Sequence, residues 1–338
     1  MIEPPMTDTA SPRISRNVLA HLLMFAVVML WGATFVLIKE ALADIAPQWF
    51  NALRTILAFG CLALVYHKEW RQLTRQAWLF GAAAGASLAV GYVFQTQGLA
   101  YTTPTNSAFI TSLVVVMVPL MATLPWLRPP GTGTPGWPAW TGALLALLGV
   151  ALLTVPSHAR WTMLFAADSK ESLGNLLTLF CALGFSLYVI ALAHASGRVR
   201  FEQLILLQIG FCMVFLTMAA FILEPPQPDA LAHAFLPGSP LMQPLVEVAL
   251  LVTAILGTAA AFGIQTWAQQ VIPAANMAVI LTLEPVFAWL TAFVVLRERL
   301  EPRRGLGALL VLFGIFAAEV LPRWRQRSRL CSSSSPPG

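Results

Sequence analysis

The stretch Ile272–Leu300, IPAANMAVILTLEPVFAWLTAFVVLRERL, decides how the chain is read. It opens on Pro273, stays apolar almost to its end and carries a single acid, Glu284, in between. At about 1.5 Å of rise per residue, a helix begun at Pro273 places Glu284 roughly 16 Å in, half-way through a hydrocarbon layer about 30 Å thick. Pro285 follows at once, so the carbonyl of Leu281 loses its donor and the helix is predicted to kink there. A carboxyl group at that depth is costly, which makes it a candidate functional residue.

The same pattern occurs earlier. Gln95–Ile110 (QTQGLAYTTPTNSAFI) aligns with Gln265–Ile280 (QTWAQQVIPAANMAVI), matching Gln95 with Gln265, Thr96 with Thr266, Asn106 with Asn276, Ala108 with Ala278 and Ile110 with Ile280. About one such match is expected by chance in a window of this length. GALLALLGV (Gly142–Val150) likewise resembles GALLVLFGI (Gly307–Ile315), each with two glycines on one helix face. The chain therefore contains two copies of one unit.

Composition agrees with a membrane protein. Charged residues make up 10% of the 338 and apolar ones 58%, against about 25% charged in soluble domains. The net charge of +5 comes from basic residues beside apolar runs, which points to membrane flanks and away from nucleic acid. Cys61, Cys181, Cys212 and Cys331 form no CxxC pair and read as small hydrophobes.

In order, the expected spans are Val18–Ala43, Pro47–His67, Gln76–Tyr101, Thr103–Leu127 and Trp137–Pro156, then Leu173–Ala195, Phe201–Leu223, Leu245–Gln269, Pro273–Leu296 and Gly305–Leu321. The predicted fold is all-α, with ten transmembrane helices as two inverted five-helix repeats. The repeats occupy 17–156 and 173–321, with a connector at 157–172 and tails at 1–16 and 322–338. An odd number of spans per unit makes the second copy enter from the opposite side. Of the 20 Lys and Arg, twelve fall on the N-terminal side, seven on the other, and Arg54 within a span; this predicts both termini in the cytoplasm of a cell-membrane protein. Ala41-Leu42-Ala43 imitates a cleavage site, but the preceding run is too long and Lys39-Glu40 interrupts its end.

WGATFVLIKEAL (Trp31–Leu42), PQWFNALR (Pro47–Arg54), the Glu284-Pro285 pair with RERL after it, and the two GALL…G helices together resemble the EamA family of the drug/metabolite transporter superfamily. The likeness spans about residues 20–320. It implies a cavity lined mainly by spans 1, 3, 4, 6, 8 and 9, and secondary transport of amino acids, small metabolites or cationic drugs by alternating access, usually outward. One departure is Arg297-Glu298, where the family often has Gly-Glu.

The substrate or coupling candidates are Glu284, Gln95, Gln265, Asn106, Asn276, Trp31, Tyr92, Trp267, Arg54, Thr34 and Ser186. Glu284 is a site for a proton or cation, against the plainer role of bonding neighbouring helices. Arg54, at a comparable depth, either pairs with Glu284 or snorkels to the headgroups. The amides line a polar path or bond between helices. Trp31, Tyr92 and Trp267 offer apolar bodies with one donor each, suited to amphipathic or cationic solutes. Thr34 and Ser186 follow Gly32 and Gly184 at matching places and can bond backbone or solute. Pro119 and Pro285 are the predicted hinges. Gly81/Gly85, Ala259/Gly263, Gly142/Gly149 and Gly307/Gly314 are packing faces, the last two pairs either within the chain or between two copies of a homodimer.

No cofactor is implied. The histidines His21, His67, His158, His194 and His233 lack HExxH spacing, Gly184-Phe185-Ser186 lacks the second glycine of a nucleophile elbow, and no GxxxxGK[ST] is present, so an enzyme is disfavoured. A channel or passive facilitator would want a continuous polar stripe. Exchange of phosphorylated sugars would want clustered cations, of which Arg54 is one. The expected partners are the lipid bilayer, a small solute and a coupling proton.

Overall fold

The computed structural model describes residues 16–128, 136–154, 170–226, 239–272, 277, 280–281, 283–299 and 301–319. Its main helices are α1 (Arg16–Ala41), α2 (Pro47–Val65), α3 (Arg75–Tyr101), α4 (Pro104–Met121), α5 (Trp137–Thr154), α6 (Lys170–Ala195), α7 (Phe201–Leu223), α8 (Pro244–Ala268), α9 (Glu284–Val295) and α10 (Pro302–Glu319). Local chemistry sets several starts. Pro47, Pro104 and Pro244 sit in first turns, where a missing N–H costs nothing. Thr74 and Thr103 cap α3 and α4 by accepting from the N–H of Ala77 and Asn106.

Seven of these helices, α1–α4 and α6–α8, are long and apolar enough to cross a membrane. The outer surface fits that setting, with Leu64 77% and Ile222 70% exposed; side chains that face water in a soluble domain would face lipid here. As described, α5, α9 and α10 fall short of the same measure, so the structure supports seven of the ten expected crossings by length and composition.

The packing is reciprocal between the two halves. Numbering the second half five ahead of the first, α2 packs on its counterpart α7, and α5 on its counterpart α10. Likewise α3 packs on α6 as α8 does on α1, and α4 packs on α6 as α9 does on α1. The glycine pairs make the symmetry concrete. A Cβ on Gly149 would lie 2.6 Å from the carbonyl oxygen of Gly307, and one on Gly314 would lie 2.6 Å from that of Gly142. These faces are occupied within the chain and are not a dimer surface. Gly81 and Gly85 press on Leu207 and Gln208 of α7, as a small-residue face should. Gly263 differs from expectation, since it has open space beside it.

Three helices depart from regular form. α4 breaks at Ser112–Leu113 into Pro104–Thr111 and Val114–Met121. Pro119 lies inside the second piece, so the break falls nearly two turns before the predicted hinge. α8 is π-helical over Val252–Ala260, and Thr258 Oγ1 donates to Thr253 O, five residues back. In α9, Leu283 is the N-cap and Pro285 lies in the first turn, while Met277, Ile280 and Leu281 before it are helical as well. The helix is thus interrupted at Leu283, beside the Glu284-Pro285 pair where a kink was predicted, and proline is well tolerated in the first turn that follows.

Candidate functional site

A cavity of about 100 Å³ lies where the halves meet, lined by residues of α1, α2, α3, α4, α6, α8 and α9. Six of these are the helices that the family resemblance implied; α2 adds Arg54. The volume exceeds the space one buried water needs.

One wall, from α2 and α3, is tightly bonded. Arg54 is 3% exposed, and its Nη2 donates to Asn51 Oδ1 at 2.8 Å. Its guanidinium carbon sits 3.7 Å from the centroid of the Tyr92 ring, a cation–π contact in a water-poor place. Asn51 Oδ1 also accepts from Thr96 Oγ1 at 2.8 Å, and Asn51 Nδ2 donates to Tyr92 O at 3.1 Å. Arg54 therefore does not snorkel. It shares the cavity with Glu284, but the two form no ion pair within 4 Å, which corrects the predicted pairing.

A cluster of rings forms the apolar part. Phe262 lies 5.2 Å from Trp31, 6.1 Å from Tyr92 and 5.7 Å from Tyr188, between centroids, and Phe185 lies 5.8 Å from Tyr92. Trp31 Nε1 donates to Gly257 O at 2.8 Å, tying α1 to the π-helical stretch of α8. That stretch also turns Thr253 and Gly257 toward the cavity.

Glu284, at the start of α9, also lines the cavity. Among the described residues no hydrogen bond or ion pair to its carboxyl group is found. The helix itself is seated closely, since a Cβ on Gly32 would meet Phe287 Cβ at 2.6 Å and Glu284 O at 2.8 Å.

Of the residues proposed from sequence, Glu284, Gln95, Gln265, Trp31, Tyr92, Arg54 and Thr34 line the cavity. Gln265 Oε1 is buried without a partner among the described residues. Three others lie elsewhere. Trp267 lines a lateral groove between α1, α2 and α8, with the Arg16 guanidinium 5.7 Å from its ring. Asn106 donates to Glu171 Oε1 at 3.0 Å, and Arg304 reaches the same oxygen at 2.9 Å, forming a polar junction of α4, α6 and α10. Ser186 is fully buried and donates to Ala182 O of its own helix. Asn276 lies outside the described residues. Phe185, Tyr188, Phe262 and Asn51 were not singled out from sequence. Phe262 was within reach, because it stands at Tyr92 plus 170, the offset that relates Gln95 to Gln265. Among the described residues Cys61, Cys181 and Cys212 carry no disulfide, and no group of three or more His, Cys, Asp or Glu could hold a metal.

A helical bundle clad in apolar side chains, with a polar-and-aromatic cavity between two like halves, defines a multi-pass membrane transporter. The EamA-like transporter family matches residues 18–155 and 172–318, and the chain belongs to it. An uncharacterized transporter of Archaeoglobus fulgidus is 32% identical over 301 residues, covering 89% of this chain and 85% of the relative. A second from the same organism is 26% identical, covering 89% and 97%. A solved crystal structure 19% identical to the chain superposes with a TM-score of 0.60 over 92% of this chain and all of that one, a likeness of fold.

Proposed function

We propose that the chain crosses the cell membrane ten times as two inverted repeats, with both termini cytoplasmic, and moves a small organic solute outward by alternating access, with Glu284 as the site of a coupling proton. The observation that carries this reading is the cavity shared by both halves, which Glu284 of α9 and the Asn51-bonded Arg54 of α2 both line without an ion pair between them. The reciprocal packing of α1 on α9 and α6 on α4 supports rocking of one half against the other, because equivalent contacts can exchange between two states. An acid with no bond to its carboxyl group among the described residues is free to take a proton in one state and give it up in the other.

The test is counterflow of labelled solute in proteoliposomes, with a panel of amino acids, metabolites and cationic drugs. Trans-acceleration is expected, whereas conductance without it would indicate a passive pore. For Glu284→Gln, accumulation driven by a pH gradient is expected to vanish while solute exchange persists. Gradient-driven accumulation at the wild-type level would remove Glu284 from the coupling step.

A further inference from the structure

Arg54 is the one Lys or Arg among the described residues lining the cavity. Its charge is permanent, because arginine stays protonated in proteins. It is 3% exposed, and one of its five donors is taken by Asn51. Its Nε has no partner among the described residues, and no carboxylate lies within 4 Å of the guanidinium. The Tyr92 face and the Asn51 bond fix the orientation of the group while leaving donors unused. A buried cation held this way and left unneutralised is costly, and an anionic ligand group relieves that cost.

One guanidinium suits one negative charge. A planar carboxylate matches its fork, whereas a phosphate dianion would call for further cations that the lining lacks. Beyond the cation, the space is bounded by Trp31, Phe185, Tyr188 and Phe262, which favour an apolar, ring-sized body. We infer that the solute bears a single carboxylate, bound at Arg54, with its apolar body among these four rings. The inference rests on reading the cavity as the transport site, and makes Arg54 the residue that selects solutes by charge.

Four probes share one ring: benzoate, phenylalanine, benzyl alcohol and benzylamine. Their protection of the purified full-length chain against thermal unfolding in detergent reads out binding. Benzoate is expected to protect at concentrations roughly tenfold or more below those for benzyl alcohol, as a charge-assisted bond implies, with benzylamine no better than the alcohol. Protection by phenylalanine as well as benzoate places the carboxylate on an amino acid; protection by benzoate alone places it on a simple acid. Arg54→Gln is expected to erase the preference, and Arg54→Lys to restore part of it. Should Arg54→Gln fail to fold, the ranking of probes on the wild-type chain still decides. Equal protection by acid and alcohol, protection by the amine alone, or none at all overturns the inference. Counterflow keeps the two readings apart: trans-acceleration with a solute lacking a carboxylate sinks this inference alone, and carboxylate binding without trans-acceleration sinks the transport reading alone.

Discussion

The cavity carries two ionisable groups, Arg54 and Glu284, whose surroundings are built on opposite plans. On the α2 and α3 side, Arg54, Asn51, Thr96 and the Tyr92 backbone bond to one another in a buried net. On the α9 side, Glu284 heads its helix with no bond to its carboxyl group among the described residues, and the helix is held by close packing on Gly32. A bonded wall keeps its geometry through a transport cycle and suits recognition. An acid with no bond among the described residues, on a helix seated by close packing, can change its proton and its position at low cost. Under the proposed function, recognition belongs to the bonded side and movement to the other.

The largest expected effect comes from breaking the packed side. In Gly32→Leu the added side chain would strike Phe287 Cβ and the Glu284 carbonyl, and a crowded core typically costs about 1–3 kcal/mol or more. Counterflow should be lost and thermal stability should fall. Gly60→Ala is the control, since a Cβ there meets nothing within 4 Å; it should behave as wild type. Near-normal counterflow in Gly32→Leu would show that α9 is not seated by this contact.

Next is the bonded side. Asn51→Ala leaves Arg54 Nη2 and Thr96 Oγ1 short of their shared acceptor, at about 1–3 kcal/mol for groups buried unsatisfied. Glu284→Gln, by contrast, breaks no hydrogen bond or ion pair among the described residues and should destabilise the fold less than Asn51→Ala does. Reversible unfolding in mixed micelles checks both, and equal destabilisation would erase the distinction between the two sides.

Much of this was legible in the sequence, for reasons that differ between residues. Depth is readable from helix rise, which is how Glu284, Arg54 and the glutamines Gln95 and Gln265 stood out, and all four line the cavity. Which face of a helix looks inward depends on tertiary packing, and there the reading failed. Trp267 stands five residues past Phe262, about 140° further round the helix, and so faces the lateral groove; Gln265, three past it, stays near the cavity side. Ser186 likewise sits about 100° from Phe185, which lines the cavity together with Tyr188 and Val189. Asn106 lies in the first turn of α4, at the junction with Glu171, whereas Thr111 and Ser112 at the break reach the cavity. The π-helical stretch of α8 left no signal in the apolar run, because its cost is met by contacts such as Trp31 to Gly257 O.

A smaller effect sharpens the α9 side at its other end. Arg297 has φ of +53°, the sole positive-φ residue other than glycine among the described residues, and Glu298 N donates to Ala292 O across it. The backbone thus keeps the left-handed turn for which the family often supplies glycine. Holding a side chain in that conformation costs about 1–2 kcal/mol, so Arg297→Gly should raise the unfolding midpoint of the intact protein. A lowered midpoint would show that the arginine side chain contributes more than the strain it imposes.

The smallest effect concerns the root of the bonded side. Glu224, just past α7, accepts through Oε2 from the N–H groups of Gln48 and Trp49 at the start of α2, at 2.9 and 3.3 Å, and its own carbonyl accepts from Trp49 Nε1. Burial raises its carboxyl above the ordinary glutamate range, although the two backbone donors pull the other way. An acid whose pKa is raised on folding stabilises the fold most below its unfolded value, and that contribution is lost as pH rises through the folded value. The stability advantage of wild type over Glu224→Gln should therefore shrink from about pH 4 upward through the weakly acidic range. Unfolding midpoints of the two proteins across that range test this. A difference that grew with pH would mean that the backbone bonds outweigh burial, and that the ionised carboxylate is what fastens α2.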